Sequence, residues 1–598
     1  MIIFIIRGFK LFVTVKQRYI DMKINLNYSQ INTIVKASIN DSQDSKKQDC
    51  TYNGQSSQIS LNSAYFIPFL GKKQYSENEQ EFLKFRKAFS RKTHKLSVEY
   101  SIADWNFYTN STEENEKILE EKEEEFRKLY RNRSTLEKLH QFQEKGINDA
   151  ALKRHLKDLI KNFDLNITYE EEIRELSDKE RDIARKFNAY RGEVGGQEHS
   201  DAELDKMSEE EKNVEKRKEI YRAQNGGGDL IETDLIELVK MRNVFARKLG
   251  FSDYFSCKLK DDYEIDEKQF FELLYDLDIK TEKIYEKIKA QNDEKLANAF
   301  GIKSEELMPW HYGLMLEDNP YREADKYIKD NGILLPLSVS MYQKMGWKLE
   351  DLPIQFDLFP REGKNQHGFC FGIDVPNDVR ILANLRNNMG SLETLNHEAG
   401  HAVYDAGISD HLPVFDRISA SSAMTEAVAM LMESLPYREK DFLMEKTEMP
   451  EELMERLDKK RRKDLVNFVR TSLFYINFEK ELYENPDQDV KKLWFDMKKK
   501  YSMKNIPDKL NNEWATIPHF LSHPAYIQNY LRAEIMAAQM YKSATQKLGP
   551  LTQNTATADF FRKKMFRHGV SLDENEIIKR MTGSILKPDA FSEQMKDL

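Results

Sequence analysis

The chain has 598 residues and a formal net charge of −9, from 92 Lys and Arg against 101 Asp and Glu. That balance excludes a general nucleic-acid binder. With 34 Phe, 27 Tyr and 22 Met there is enough apolar volume for a large core, so most of the chain is not disordered.

Residues 1–15 are apolar but interrupted by Arg7 and Lys10. The stretch is too short and too broken to span a bilayer, and it lacks the order of a secretory signal. It reads as a leader, with Met22 as an alternative start. Residues 23–60 are rich in Asn, Ser and Gln and read as a disordered arm, so a leader and arm over 1–60 precede one body over 61–598.

Low Gly and Pro with abundant Glu, Lys and Leu predict long helices. Residues 78–222 carry a helical, heavily charged pattern. Within it Leu119, Phe126, Leu129, Leu136 and Leu139 recur on one face, and the charges form a solvated one. Gly192, Gly195, Gly196 and the run Asn225-Gly-Gly-Gly-Asp229 read as flexible joints. No Lys-Ser/Thr follows the glycines, so they form no phosphate loop. Residues 230–350 return to helical periodicity. Residues 355–385, rich in Phe, Val and Ile and punctuated by Pro360, Gly363, Gly368, Gly372 and Pro376, predict a small antiparallel sheet. Helices resume to the end. No segment has 18 consecutive apolar residues, and no repeat has a fixed period. Cys50, Cys257 and Cys370 build neither a disulfide scaffold nor a zinc ribbon. They suit a reducing compartment, or a periplasm where thiols go unused, so localisation stays open between cytoplasm and periplasm or secretion.

The chemistry lies just after the sheet, in His397-Glu398-Ala399-Gly400-His401. Ser391 is a candidate N-cap and Gly407 a stop, which predicts a helix of about four turns. Positions i and i+4 share a helix face, so both imidazoles aim at one point, where Zn²⁺ accepts neutral His nitrogens. Glu398 reaches a water at the metal rather than the metal itself. A catalytic zinc needs a third protein ligand. Glu426, in the first turn of an otherwise apolar helix, is a carboxylate that needs a partner on burial. Its rivals are Glu433 and His411. Asp405, four residues after His401, is a candidate acceptor for a ligand N–H.

These residues resemble the angiotensin-converting-enzyme family of zinc peptidyl-dipeptidases and, more weakly, the thimet oligopeptidase and neurolysin family. Both share H-E-x-G-H followed by Glu at this distance. Residues 102–112 (Ile-Ala-Asp-Trp-Asn-Phe-Tyr-Thr-Asn-Ser-Thr), 249–255 (Leu-Gly-Phe-Ser-Asp-Tyr-Phe) and 494–501 (Trp-Phe-Asp-Met-Lys-x-Lys-Tyr) are similar to segments of the first family. The resemblance runs from about residue 65 to the end. It implies an elongated, mostly helical body with a deep central cleft, helices of about 78–222 as a lid, and a catalytic core over about 355–598. It implies a monomer with one zinc per chain that hydrolyses short peptides, releasing dipeptides from the C-terminus. Zinc endo-oligopeptidase action and a catalytically silent binding protein are the alternatives. The resemblance also places His367 against substrate on an edge strand. It points to His519 or His523, with Tyr526 and Tyr530, around the tetrahedral intermediate, Tyr530 as the oxyanion donor and Tyr526 gripping substrate. Two departures stand out. The family's carboxylate-binding lysine is Ile517 here. Its chloride-site arginines align with Lys498 and Gln528, so chloride activation is not expected.

Overall fold

The computed structural model describes residues 74–598 apart from 317, 318 and 329. The leader and arm expected over 1–60 lie outside the described residues. The described chain is mostly helical, as its composition predicts.

Helix α1 (Glu77–Thr109) starts from a capping box in which Ser76 and Glu79 satisfy each other's free amides. Helices α2 (Glu113–Lys128), α3 (Arg133–Lys145), α4 (Ala150–Ile167) and α5 (Glu170–Ala189) follow. Leu119, Phe126, Leu129, Leu136 and Leu139 are all buried, so the apolar face read from the sequence is the packed one. Phe82, Phe126, Leu139 and Phe163 share one cluster there.

The glycines do not act as joints. Gly192 opens strand β1 (Gly192–Val194), which pairs with β2 (Gln197–His199) across a turn at Gly195 and Gly196, both at positive φ. The run at 225–229 lies inside helix α6 (Val214–Lys248). A Cβ on Gly226 would come 2.2 Å from the Tyr190 hydroxyl, and one on Gly228 would come 2.1 Å from the Asn512 carbonyl oxygen. These glycines are helical and exist for close approach, a use that composition does not distinguish from flexibility. After helix α7 (Glu267–Phe300), residues 304–333 are mainly short 3₁₀ turns rather than the helix expected, because Pro309, Gly313 (φ +92°) and Pro320 interrupt it.

The small sheet falls where predicted. Strands β4 (Phe369–Asp374) and β5 (Asp378–Leu382) form an antiparallel hairpin, and β3 (Ile354–Asp357) joins β5 in parallel, giving the order β3-β5-β4. The crossing loop from β3 to β4 is pinned by Lys364. Its buried ammonium donates to the carbonyls of Asp357, Phe359 and Ala383 and to the Asp357 carboxylate. Trp105 and Tyr108 of α1 pack edge-on against Phe371 and Phe369, so the first helix covers one face of this sheet. Strand β4 is an edge.

Helices α8 (Met389–Gly407), α9 (Ser422–Arg438), α10 (Glu451–Glu484), α11 (Pro518–Ser522) and α12 (Ile527–Leu548) complete the frame. Two large cores form. One takes β3, β5, α8 and α9, the other α6 and α7. Helices α10 and α12 run through both: Leu453 and Met536 belong to the first, Phe478 and Leu531 to the second. Among the described residues no helix is long and apolar enough to cross a membrane.

Gly228→Ala is expected to destabilise the protein by about 1–3 kcal/mol, as overpacking against backbone does. Denaturant unfolding reads this directly, and an unchanged midpoint would show that the approach of α6 to Asn512 is not tight.

Candidate active site

Helix α8 begins two residues before the Ser391 expected to cap it. The Asn388 side chain is the cap and accepts the Ser391 N–H at 2.8 Å, while the Ser391 hydroxyl accepts the Arg386 N–H at 2.9 Å. Gly407 is the last helical residue rather than the first beyond the helix, because a Cβ there would meet the Phe566 ring at 2.8 Å. One face of α8 (Leu395, Ala399, Ala402, Val403) is buried in the first core. That packing leaves His397 and His401 on the opposite side, with Glu398 buried on the flank between.

Helix α9 crosses α8 at contact distance. A Cβ on Gly400 would sit 2.8 Å from Ala429 Cα, so two small residues permit the approach. It brings Glu426 to the histidines. His397 Nε2 and His401 Nε2 are 3.2 Å apart, and Glu426 Oε2 lies 3.5 Å and 3.9 Å from them. Of the described residues, these three form the group of His, Cys and carboxylate donors able to hold an ion. Two imidazole nitrogens at 2.0–2.1 Å from one zinc in tetrahedral geometry stand about 3.3 Å apart, so the spacing fits.

The outer nitrogens are also engaged. His397 Nδ1–H donates to Glu433 Oε2 at 2.9 Å, and His401 Nδ1 lies 2.7 Å from the Thr425 hydroxyl. Glu433 only accepts, so it sets His397 with Nδ1–H outward and Nε2 toward the ion-holding group, and the Thr425 hydroxyl holds His401 in the same orientation. Glu433, weighed as a rival ligand, therefore stands behind His397. His411 is exposed beside Asp410, away from the group. Asp405 accepts neither ligand N–H, and burial pushes its carboxyl up to about 7 beside Gly372 of β4. Thr425 and the placement of Glu433 were not read from the sequence. The available signal was spacing, since Glu433 follows Glu426 by two helical turns.

The electrostatics call for a cation. Burial works against a charged His397, yet hydrogen bonds to Glu426 and Glu433 hold it well above the ordinary imidazole range. Burial pulls His401 down to about 4, which keeps it neutral as a ligand must be. Glu398 is pushed up to about 7, chiefly by burial, against the pull of His397. The Cys370 amide of β4 donates to its carboxylate. His367 lies in the bend just before β4, with its N–H on Asn365 Oδ1.

The second core supplies the remaining candidates. His519, His523, Tyr526 and Tyr530 form a run of neighbouring rings. Centroids are 6.0 Å apart for His519–Tyr530, 5.9 Å for His523–Tyr526 and 5.2 Å for Tyr526–Tyr530. The Tyr530 hydroxyl and His519 Nε2 are buried and have no hydrogen-bond partner among the described residues. The Glu426 carboxylate, after burial, raises the Tyr530 hydroxyl. His523 Nδ1 is held by Ser522 at 2.8 Å. Tyr526 neighbours Ser422 and Glu426. Lys498 is bound to Glu513, and Gln528 to Asn529 and Arg532.

The family model described as Angiotensin-converting enzyme matches residues 76–315, and the model described as Peptidase family M3 matches residues 353–597. These are the two families that the motifs resemble. The H-E-x-x-H helix, Glu426 and the His519–Tyr530 segment all fall in the second match.

Glu426→Ala is expected to release the metal on dialysis. Glu433→Ala keeps all ligands and should weaken binding only by about 10–100-fold. Metal analysis separates them, and equal retention would contradict the assignment of Glu426. Gly400→Val, which would drive α8 from α9, should also lose metal.

Proposed function

We propose that this chain, a zinc-dependent metallopeptidase by the two families its halves match, hydrolyses short unfolded peptides with His397, His401 and Glu426 as ligands, Glu398 as general base and Tyr530 with His519 as oxyanion donors. The observation that supports this reading best is the buried Tyr530 hydroxyl, which has no hydrogen-bond partner among the described residues and feels the Glu426 carboxylate of the group that can hold an ion; the buried Nε2 of His519, whose ring lies 6.0 Å from that of Tyr530, lacks a partner there too. Buried polar atoms rarely go without partners. These two would acquire one when an oxyanion forms.

A zinc ion held by His397, His401 and Glu426 would supply Lewis acidity to the attacking water and the scissile carbonyl. Glu398, with its carboxyl near neutrality, accepts the proton of the attacking water and returns it to the leaving amine. The Cys370 amide keeps the carboxylate oriented. The Tyr530 hydroxyl and the His519 ring N–H donate to the developing oxyanion, each worth about 2.7–4 kcal/mol. The free edge of β4, led in by His367, can pair with an extended substrate backbone.

Release of C-terminal dipeptides, with Tyr526 gripping substrate, is the first reading of cleavage position. One observation favours endo-cleavage instead. Ile517 stands where the resembled family has its carboxylate-binding lysine, and it packs against the second core.

Mass spectrometry of products from free and C-terminally amidated peptides decides. Dipeptide loss confined to free C-termini supports the first reading, and internal cleavage of both supports the second. Glu398→Gln should abolish turnover and keep its zinc; loss of stoichiometric zinc, or near-parental rate, would remove Glu398 from its role. Tyr530→Phe should lower kcat and kcat/KM together by roughly 10²–10³, with KM little changed. Tyr526→Phe should act more on KM, and the reverse pattern would exchange the two assignments.

A further inference from the structure

The segment carrying the oxyanion donors is not one continuous element. Helix α11 ends at Ser522, the chain turns through His523, Pro524 and Ala525, and α12 begins at Ile527. Ala525 has φ +57°. That is the left-handed region, which an alanine rarely occupies because Cβ crowds the backbone. Ala525 is also buried, so water does not hold this conformation.

Two buried polar side chains do. Arg242 of α6 is fully buried and donates through Nη1 to the Phe520 carbonyl at 2.8 Å and through Nη2 to the Leu521 carbonyl. These carbonyls lie at the end of a five-residue helix, where backbone acceptors lack helical partners. Glu479 of α10, 1% exposed, accepts the Ala525 N–H on Oε1 at 2.8 Å. Burial pushes the Glu479 carboxyl up to about 8, against the pull of Arg242, and each side chain bonds the backbone between them. Arg242 is itself fixed by Glu180 of α5 at 2.7 Å and by the Tyr483 hydroxyl at 3.0 Å. Buried charge is costly unless hydrogen bonds compensate it. Here Glu180, the Tyr483 hydroxyl and the Phe520 and Leu521 carbonyls compensate Arg242, and the Ala525 amide bonds Glu479, so both side chains reach the one turn between His519 and Tyr530.

We propose that Arg242 and Glu479 are positioning residues for peptide hydrolysis: they clamp the turn at Ala525 from opposite sides and thereby set His519 and Tyr530 at the oxyanion. This rests on the roles given to His519 and Tyr530 above. It also gives the amino-terminal helices a mechanical link to the chemistry, since α5 and α6 hold one jaw and α10 the other.

The test uses the full-length zinc enzyme with Glu479→Leu, Arg242→Met, Glu479→Gln and Tyr530→Phe. Glu479→Leu and Arg242→Met should each lower kcat at least tenfold, leave KM within threefold and retain one zinc per chain. Hydrogen-exchange mass spectrometry should show lost protection across residues 519–530. Glu479→Gln keeps the acceptor oxygen and should recover most of the rate, which a requirement for the charge alone would not allow. If both apolar variants stay within threefold of the parent while Tyr530→Phe is crippled, the clamp is wrong and the oxyanion assignment stands. If Tyr530→Phe and His519→Gln are themselves near parental, the underlying reading fails and the clamp with it. Should an apolar variant fail to fold, Ala525→Val leaves both side chains in place and disfavours the left-handed turn. It should show the same kcat loss with zinc retained, and a parental kcat would overturn the proposal.

Discussion

Helices α8 and α9 meet at Gly400 and Ala429, and the site depends on that contact. A Cβ on Gly400 would lie 2.8 Å from Ala429 Cα, so any larger residue would drive the helices apart. Only at this separation do imidazoles on one helix and a carboxylate on the other converge to 3.2–3.9 Å. The packing is paid for by the opposite faces of both helices, where Leu395, Ala399, Ala402, Val428 and Leu431 fill the first core. A dry, dense core is what makes the polar side rigid.

The convergence has an electrostatic cost. Two half-buried imidazoles stand among three carboxylates, Glu398, Glu426 and Glu433, and no side-chain cation of Lys or Arg is bound to any of them in the ion pairs of the described residues. His397 responds by holding a proton far more tightly than a free imidazole would. A divalent ion would replace that proton with more charge and better geometry. Glu433 and Thr425 then keep the rings aligned whether or not the ion is bound, because their hydrogen bonds go to the nitrogens facing away from it.

The two halves of the chemistry come from different cores. The ion-binding group stands on the first, and His519 to Tyr530 on the second, with α10 and α12 continuous through both. Long helices shared between cores fix distances that a loop could not. The turn at Ala525 joins α11 to α12 in this frame, and it is where Arg242 and Glu479 are buried. The two family matches cut across this division: both parts of the chemistry lie in the second matched segment, while Arg242 lies in the first.

The sequence by itself determined the helical character, the position of the small sheet and the donors His397, His401 and Glu426. Each rests on local regularity: a 3.6-residue face, a Phe- and Val-rich run between Pro and Gly, two histidines at i and i+4, and one acid in an apolar helix. Tertiary structure decided what depends on neighbours distant in the chain. Gly226 and Gly228 look like a hinge in sequence and are two sides of one helix, one pressed on Tyr190 and the other on Asn512. β3 joins its sheet in parallel, and a buried Lys364 ties the loop after it to Ala383, just past β5. Glu433 and His411 were both eligible as ligands, and only packing put one behind His397 and left the other in solvent. Arg242 and Glu479 carry no motif at all. Their place around Ala525 comes from three helices and a turn that meet only in the folded chain, because a hydrogen bond across more than forty residues leaves no periodicity to read.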